Sequence, residues 1–234
     1  MLLGIFGAAL CQGLVGFGFG LISIPILAIF LDLKQAIILG IFLAFADYLI
    51  LLMRSFKLLK QLRFKKIRSV VASIVIGLLS GFCIFVAIDN ELLKIITGII
   101  VIVSGFMLLT GYFPNIKDSE KAKIFLGYLS GMLQTMTGMG GPPIIIYYSS
   151  QKIDRDGFRS NIITLFLLMS CLSFLMMIFN PATTKTTFQF SLELLPAVVV
   201  GNEIGIRIVR FVNDKLFRFI VNILIILSGL TMIF

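Results

Sequence analysis

Two stretches place chemically useful residues inside an otherwise apolar chain. The first runs from Gln12 to Gly20, with Gly16, Gly18 and Gly20 at alternate positions. The second lies 122 residues later, from Gln134 to Pro143, and contains Thr135, Thr137, Gly138, Gly140, Gly141 and Pro142. Gln12 aligns with Gln134, Gly16 with Gly138, and Gly18 with Gly140. Glycines this dense do not hold an ordinary helix, since each costs about 1 kcal/mol relative to alanine. A helix broken in lipid releases N–H and C=O groups that only protein or a water-filled cavity can satisfy. The helix that restarts after the break offers free N–H groups and a positive dipole end, which favour an anion. Pro142 and Pro143 suit such a start, where a missing N–H costs nothing. Glycines let a ligand approach the backbone closely. Gln12, Gln134, Thr135 and Thr137 would add neutral donors, and no carboxylate lies near in sequence. This chemistry suits an oxyanion held between the two breaks.

The elements that must position these stretches are membrane helices. Of 234 residues, 59% are hydrophobic and 13% charged, and the mean hydropathy is +1.10. Apolar runs of about 20 residues recur along the chain, each long enough to cross a hydrocarbon core of about 30 Å. The runs are continuous rather than alternating, so the chain reads as an all-α polytopic membrane protein. No stretch is left for a soluble domain. The net charge of +9 therefore reports loop topology rather than nucleic-acid binding. No Lys or Arg precedes Lys34, so the first apolar arm reads as retained membrane structure, not a cleaved signal peptide. Three scattered cysteines and no histidine argue against a metal site, a haem or a disulfide framework, and no cofactor is expected. There is no phosphate-binding P-loop. Asp47 and Glu203 occupy non-equivalent positions, so a membrane-embedded enzyme is disfavoured.

The halves correspond throughout. Gly77 and Gly81 match Gly201 and Gly205, and Ser104 and Gly105 match Ser228 and Gly229, at offsets of 122 to 124 residues. The reading is a repeat over 1–113, a linker over 114–121 and a second repeat over 122–234, forming a single transport domain. Spans are expected at 35–53, 69–88, 92–113, 160–179, 192–209 and 216–234. The arms of the broken segments are expected at 2–15 and 21–31, and at 124–137 and 142–151. Charge decides their path. If each broken segment crosses once, 11 of the 20 Lys and Arg residues fall inside and 9 outside. If the second broken segment is a hairpin, 17 fall inside, and only Lys34, Lys94 and Lys185 are outside. The positive-inside rule selects the hairpin. Each repeat is then a broken-helix hairpin plus three transmembrane helices, and the repeats are inverted. The basic 54–68 loop is expected in the cytoplasm and both termini outside.

Ionisable residues inside spans are costly and mark function. Asp47 is a candidate for coupling to H+ or Na+; otherwise it pairs with loop bases such as Arg54. Glu203 and Arg207, at i and i+4, read as an ion pair. Arg159 opens a span directly after the second hairpin and would draw an anion to the cytoplasmic mouth or anchor topology. Asn161 and Asn202 need partners, whether neighbouring helices or substrate. Phe17, Phe19 and Met139 read as packing or gate residues. Gly77, Gly81, Gly201 and Gly205 read as small-residue helix packing.

The set of motifs resembles the sulfite exporter TauE/SafE family of membrane transporters. The resemblance rests on Gln12–Gly20 followed by Pro25, on Gly131–Pro143, on the start of the span at Arg159, and on Gly201, Asn202, Gly205 and Arg207. It covers nearly all of the chain. It implies a multi-pass protein of the plasma (inner) membrane that moves small anions such as sulfite or sulfonates. The residues and the resemblance together suggest a secondary transporter working by alternating access. The candidate substrate residues are Gln12, Gly16, Gly18, Gly20, Gln134, Thr135, Thr137, Gly138, Gly140, Gly141, Pro142, Arg159 and Asn161. The alternative reading is an anion channel or a cation-coupled importer of a small molecule.

Overall fold

A computed structural model of the protein describes residues 1–54, 64–110, 116–117, 119–151 and 155–208. Among the described residues there are nine helices and no strand. They are α1 (Leu2–Val15), α2 (Phe19–Ala28), α3 (Leu33–Arg54), α4 (Phe64–Ala87), α5 (Asn90–Thr110), α6 (Glu120–Thr137), α7 (Gly141–Ser149), α8 (Arg155–Ile178) and α9 (Lys185–Ile208). The expected span at 216–234 and most of the 54–68 loop lie outside the described residues.

Short polar side chains set several of the starts. Asp32 Oδ1 accepts from the Gln35 N–H at 3.2 Å at the head of α3. Asp89 Oδ1 accepts from the Leu92 N–H at 2.8 Å at the head of α5. Ser119 Oγ accepts from the Ala122 N–H at 3.2 Å at the head of α6. Each supplies a partner to an N–H that the helix itself cannot pair. The Ser119 cap, with Glu120 in the first turn, starts α6 inside the stretch expected as linker, which is shorter than 114–121 at that end.

Among the described residues, four helices are long and apolar enough to cross a membrane, over Leu33–Met53, Arg68–Ala87, Asn90–Met107 and Ser160–Ile178. The span expected at 192–209 overlaps α9, which starts earlier and is more polar, carrying Glu193, Asn202 and Glu203; it is not among the four. Large apolar side chains of α4 and α5, including Ile76, Leu79, Ile99, Val103 and Phe106, point outward, as a lipid-facing surface requires.

Both broken segments reverse direction. A Cβ placed on Gly4, near the start of α1, would lie 2.6 Å from Ile26, near the end of α2. A straight helix would hold these residues about 33 Å apart at 1.5 Å per residue. In the second segment Ser130 Oγ of α6 donates to the Gly140 carbonyl just ahead of α7. The return arms α2 and α7, of 10 and 9 residues, are about 15 and 14 Å long, short of a hydrocarbon core of about 30 Å.

The halves grip one another through glycines. On α4, Gly77 lies against the Tyr128 carbonyl of α6 and Gly81 against the Met132 carbonyl. On α9, Gly201 lies against the Phe6 carbonyl of α1 and Gly205 against the Leu10 carbonyl. Tyr128 and Met132 are the counterparts of Phe6 and Leu10 at the 122-residue offset. Each half thus lends its glycine helix to the other half's first hairpin arm. The small-residue packing read from sequence is what these four glycines do, and close backbone approach is its source of stability.

Gly131 of α6 faces the Ile74 carbonyl of α4 with no room for a Cβ, whereas Gly7 of α1 has nothing within 4 Å. Gly131→Val is expected to cost about 1–3 kcal/mol by overpacking, read as a lower melting temperature in detergent. Gly7→Ala is expected to leave it unchanged or raise it. Equal behaviour of the two variants would contradict the packing account.

Candidate functional site

Each break is closed by the glutamine that precedes it. In the first, α1 ends at Gly16, in the left-handed region at φ 89°, with its N–H on the Gln12 carbonyl at 2.6 Å. Gly18, at φ 105°, then caps α2. The Gln12 side chain reaches across, and its Oε1 accepts from the Phe19 N–H at 3.0 Å. In the second, α6 ends at Gly138, at φ 71°, with its N–H on the Gln134 carbonyl at 2.9 Å. Gln134 Oε1 accepts from the Gly140 N–H at 3.0 Å. Gly140 itself has φ −72°; it must be glycine because a Cβ would meet the Ser130 carbonyl and the Gln134 side chain.

These bonds give the glutamines an accepting role that the sequence does not show, beside the donating one expected of their amide nitrogens. Both amide oxygens are spent on N–H groups that the breaks release. Only the amide nitrogens remain, and that of Gln12 is buried without a hydrogen-bond partner. The two threonines also turn away. Thr135 Oγ1 donates to the Leu78 carbonyl of α4 at 2.8 Å, and Thr137 Oγ1 to the Leu133 carbonyl at 2.8 Å. Both hydroxyls are committed to the backbone, because a hydroxyl in a buried helix finds the nearest free carbonyl lone pair.

The two breaks touch. A Cβ on Gly20 would overlap the Gly138 carbonyl oxygen, and one on Gly138 would overlap the tip of Ile24. Between the breaks lies a cavity of about 30 Å³, enough for a few waters. Gly18, Gly20, Gln134, Gly138, Gly140 and Gly141 line it. Phe17, Met139, Tyr48 and Phe166 supply much of the rest of its wall, with the Tyr48 and Phe166 rings edge to face at 5.6 Å. Among the described residues, no carboxylate lines it. Phe19, by contrast, is buried in the core. Pro142 faces a separate apolar pocket with Ser104 and Met107 of α5. Gly16 is not part of the lining, and its need is conformational. Asn161 is half-buried on α8 and not part of the lining. Arg159 is on α8 too, but its side chain lies outside the described residues.

Asp47 and Asn202 meet, although 155 residues apart: Asn202 Nδ2 donates to Asp47 Oδ1. Both side chains are fully buried. The side chain of Arg54, the alternative partner read from sequence, lies outside the described residues. Glu203 and Arg207 form the expected pair, at 2.7 Å. Tyr48 was not singled out by sequence, where it reads as one more aromatic in an apolar span; its adjacency to Asp47 was the available signal.

Removing either closing amide strands an N–H in an apolar setting. Gln12→Ala and Gln134→Ala are each expected to lose about 1–3 kcal/mol of stability, measured as thermal unfolding in detergent, while still inserting into the membrane. Unchanged melting in both would deny the glutamines their closing role.

No solved structure matches the chain. A probable membrane transporter protein of Methanocaldococcus jannaschii is 29% identical over 145 residues, covering 57% of this chain and 54% of the relative. The match thus spans about half of that relative's length. The family model for the sulfite exporter TauE/SafE proteins matches residues 1–232, so the two helix breaks, the glycine-packed arms and the apolar spans sit within that match, and the chain belongs to the sulfite exporter TauE/SafE family.

Proposed function

We propose that the chain is a secondary transporter that carries a small sulfur oxyanion or sulfonate through the site between its two helix breaks. The observation that carries this is the contact of Gly20 with Gly138. It brings the starts of α2 and α7 to one cavity. Two helix N-termini converge on a small space whose wall combines glycine backbone, one amide and apolar and aromatic side chains, with no carboxylate among the described residues that line it. At α2 the Phe19 N–H is taken by Gln12, and the helix cannot pair those of Gly20 and Leu21 internally. At α7 the Gly140 N–H is taken by Gln134, and Pro142 and Pro143 have none, which leaves that of Gly141. A few N–H groups and aligned dipoles suit an anion of modest size.

Two features support inverted repeats. The reciprocal glycine contacts, in which α4 grips α6 as α9 grips α1, are what a two-fold relation produces. The charge asymmetry of the loops in the sequence supports an axis in the membrane plane. On this reading the short arms α2 and α7 are re-entrant and meet from opposite sides. Transport then requires the cavity to widen toward one face at a time, through relative movement of the two hairpins. The plasma (inner) membrane is the expected location, with the 54–68 loop in the cytoplasm.

Proteoliposomes loaded with unlabelled sulfoacetate or sulfite should exchange it for the radiolabelled anion. Gly20→Ala, which forces the breaks apart, should cut exchange about tenfold, equivalent to about 1.4 kcal/mol. Absence of exchange for any sulfur oxyanion, or full exchange by Gly20→Ala, would contradict the proposal.

A further inference from the structure

We propose that Asp47 and Asn202, joined to the first helix break through Tyr48 and Gln12, form a proton-carrying site that couples proton movement to movement of the anion. The inference rests on the transport reading above and adds the identity and place of the coupling ion.

The cluster is drawn from three helices that the chain order keeps apart: Gln12 from α1, Asp47 and Tyr48 from α3, and Asn202 from α9. All four are buried. Three of their polar atoms have no hydrogen-bond partner: Asp47 Oδ2, Asn202 Oδ1 and Gln12 Nε2. Orphaned buried polar atoms are rare and call for an explanation. One proton explains the first two together. Asn202 Nδ2 already donates to Asp47 Oδ1. A proton on Asp47 Oδ2 turns that atom into a donor, and Asn202 Oδ1 is the acceptor left on the same amide. The result is a cyclic acid–amide pair in which every polar atom is used. When the proton leaves, the carboxylate needs another donor. Tyr48 follows Asp47 on α3; the Asp47 charge acts on its hydroxyl, which lies against the Gln12 side chain. The hydroxyl can accept from the orphaned Gln12 amide nitrogen, whose oxygen holds the Phe19 N–H and so closes the break, and on deprotonation it is the hydroxyl that would turn to the carboxylate.

Folding does not account for this polarity. At the repeat offsets the counterparts of Asp47 and Asn202 are Met169 and Leu78. Both are fully buried and apolar. The same place in the second half is therefore built without any polar pair. A structural cation is a poorer fit, because a hard metal ion needs about six oxygen ligands and the cluster offers Asp47 Oδ2, Asn202 Oδ1 and the Tyr48 hydroxyl.

Tyr48, next to Asp47 on α3, is the titratable group that the Asp47 charge acts on. From α9, Asn202 faces Asp47, while Glu203 and Arg207 of that helix pair with each other. Among the described residues, no charged group of α2, α5, α8 or α9 acts on it. Tyr48 also lines the cavity between the breaks. An anion there and a carboxylate at Asp47 repel, so anion and proton favour each other's binding, and by linkage the effect is mutual. The two therefore cross together.

The test uses purified full-length protein in proteoliposomes with radiolabelled sulfoacetate. Accumulation driven by acid outside is measured against exchange at equal pH. The wild type should accumulate the anion, and a sodium gradient should not replace the pH gradient. Asp47→Asn should lower the ratio of pH-driven accumulation to equal-pH exchange by about tenfold, within the usual range of coupling energies. The double variant Asp47→Met with Asn202→Leu, which copies the second half's apolar packing, should do the same, and Asp47→Glu should restore coupling in part. An unchanged ratio in both Asp47→Asn and the double variant, or accumulation driven by sodium, overturns the inference while leaving the transporter reading intact. No exchange by the wild type at equal pH overturns both.

Discussion

A helix that breaks inside a bilayer has no solvent to take up its freed backbone groups. The remedy must come from the chain itself. Here it comes from one glutamine oxygen per break, set four residues before the left-handed glycine that ends the helix. Gln12 holds the Phe19 N–H and Gln134 holds the Gly140 N–H. Each bond ties the end of one arm to the start of the next and fixes the reversal. The rest of the architecture depends on those reversals. They make return arms too short to cross, direct two helix starts at one another, and bring Gly20 onto the Gly138 carbonyl.

The pairing of halves adds the second layer. Gly77 and Gly81 on α4 receive the first arm of the second hairpin, and Gly201 and Gly205 on α9 receive that of the first. Neither hairpin is therefore anchored by its own half alone. In the proposed alternating access, motion of one half would carry the other half's hairpin with it. Function is to be sought where the two halves differ. The first break uses two left-handed glycines where the second uses one and then two prolines. Asp47 and Asn202 stand where the second half has Met169 and Leu78. The shared features build the fold and much of the cavity wall, and the unshared ones are where the halves can take different roles.

Much of this was legible in the sequence because it is written in residue types at fixed spacing. The helix arms over 2–15 and to 137, the breaks at the glycines, the small-residue packing and the Glu203–Arg207 pair follow from periodicity and local rules. The direction of hydrogen bonds does not. Spacing places Gln12 and Gln134 before the breaks, but it does not reveal that their oxygens rather than their nitrogens are engaged. Nor does it reveal that Thr135 and Thr137 face carbonyls instead of the cavity. The Asp47–Asn202 contact spans 155 residues and joins helices from different halves, so no local pattern announces it. Tyr48 was hidden for a similar reason: its place in the cavity wall follows from how α3 packs against the breaks, not from its neighbours in sequence.

The most direct measurement of the central claim is the location of a bound oxyanion. Selenite is a close analogue of sulfite that scatters anomalously. A crystal grown with selenite should give one anomalous peak between the two breaks, within hydrogen-bonding reach of the Gly20 and Gly141 backbone and bounded by Tyr48 and Phe166. A single strong peak elsewhere in the membrane region, with the space between Gly20 and Gly138 empty at saturating selenite, would contradict the account.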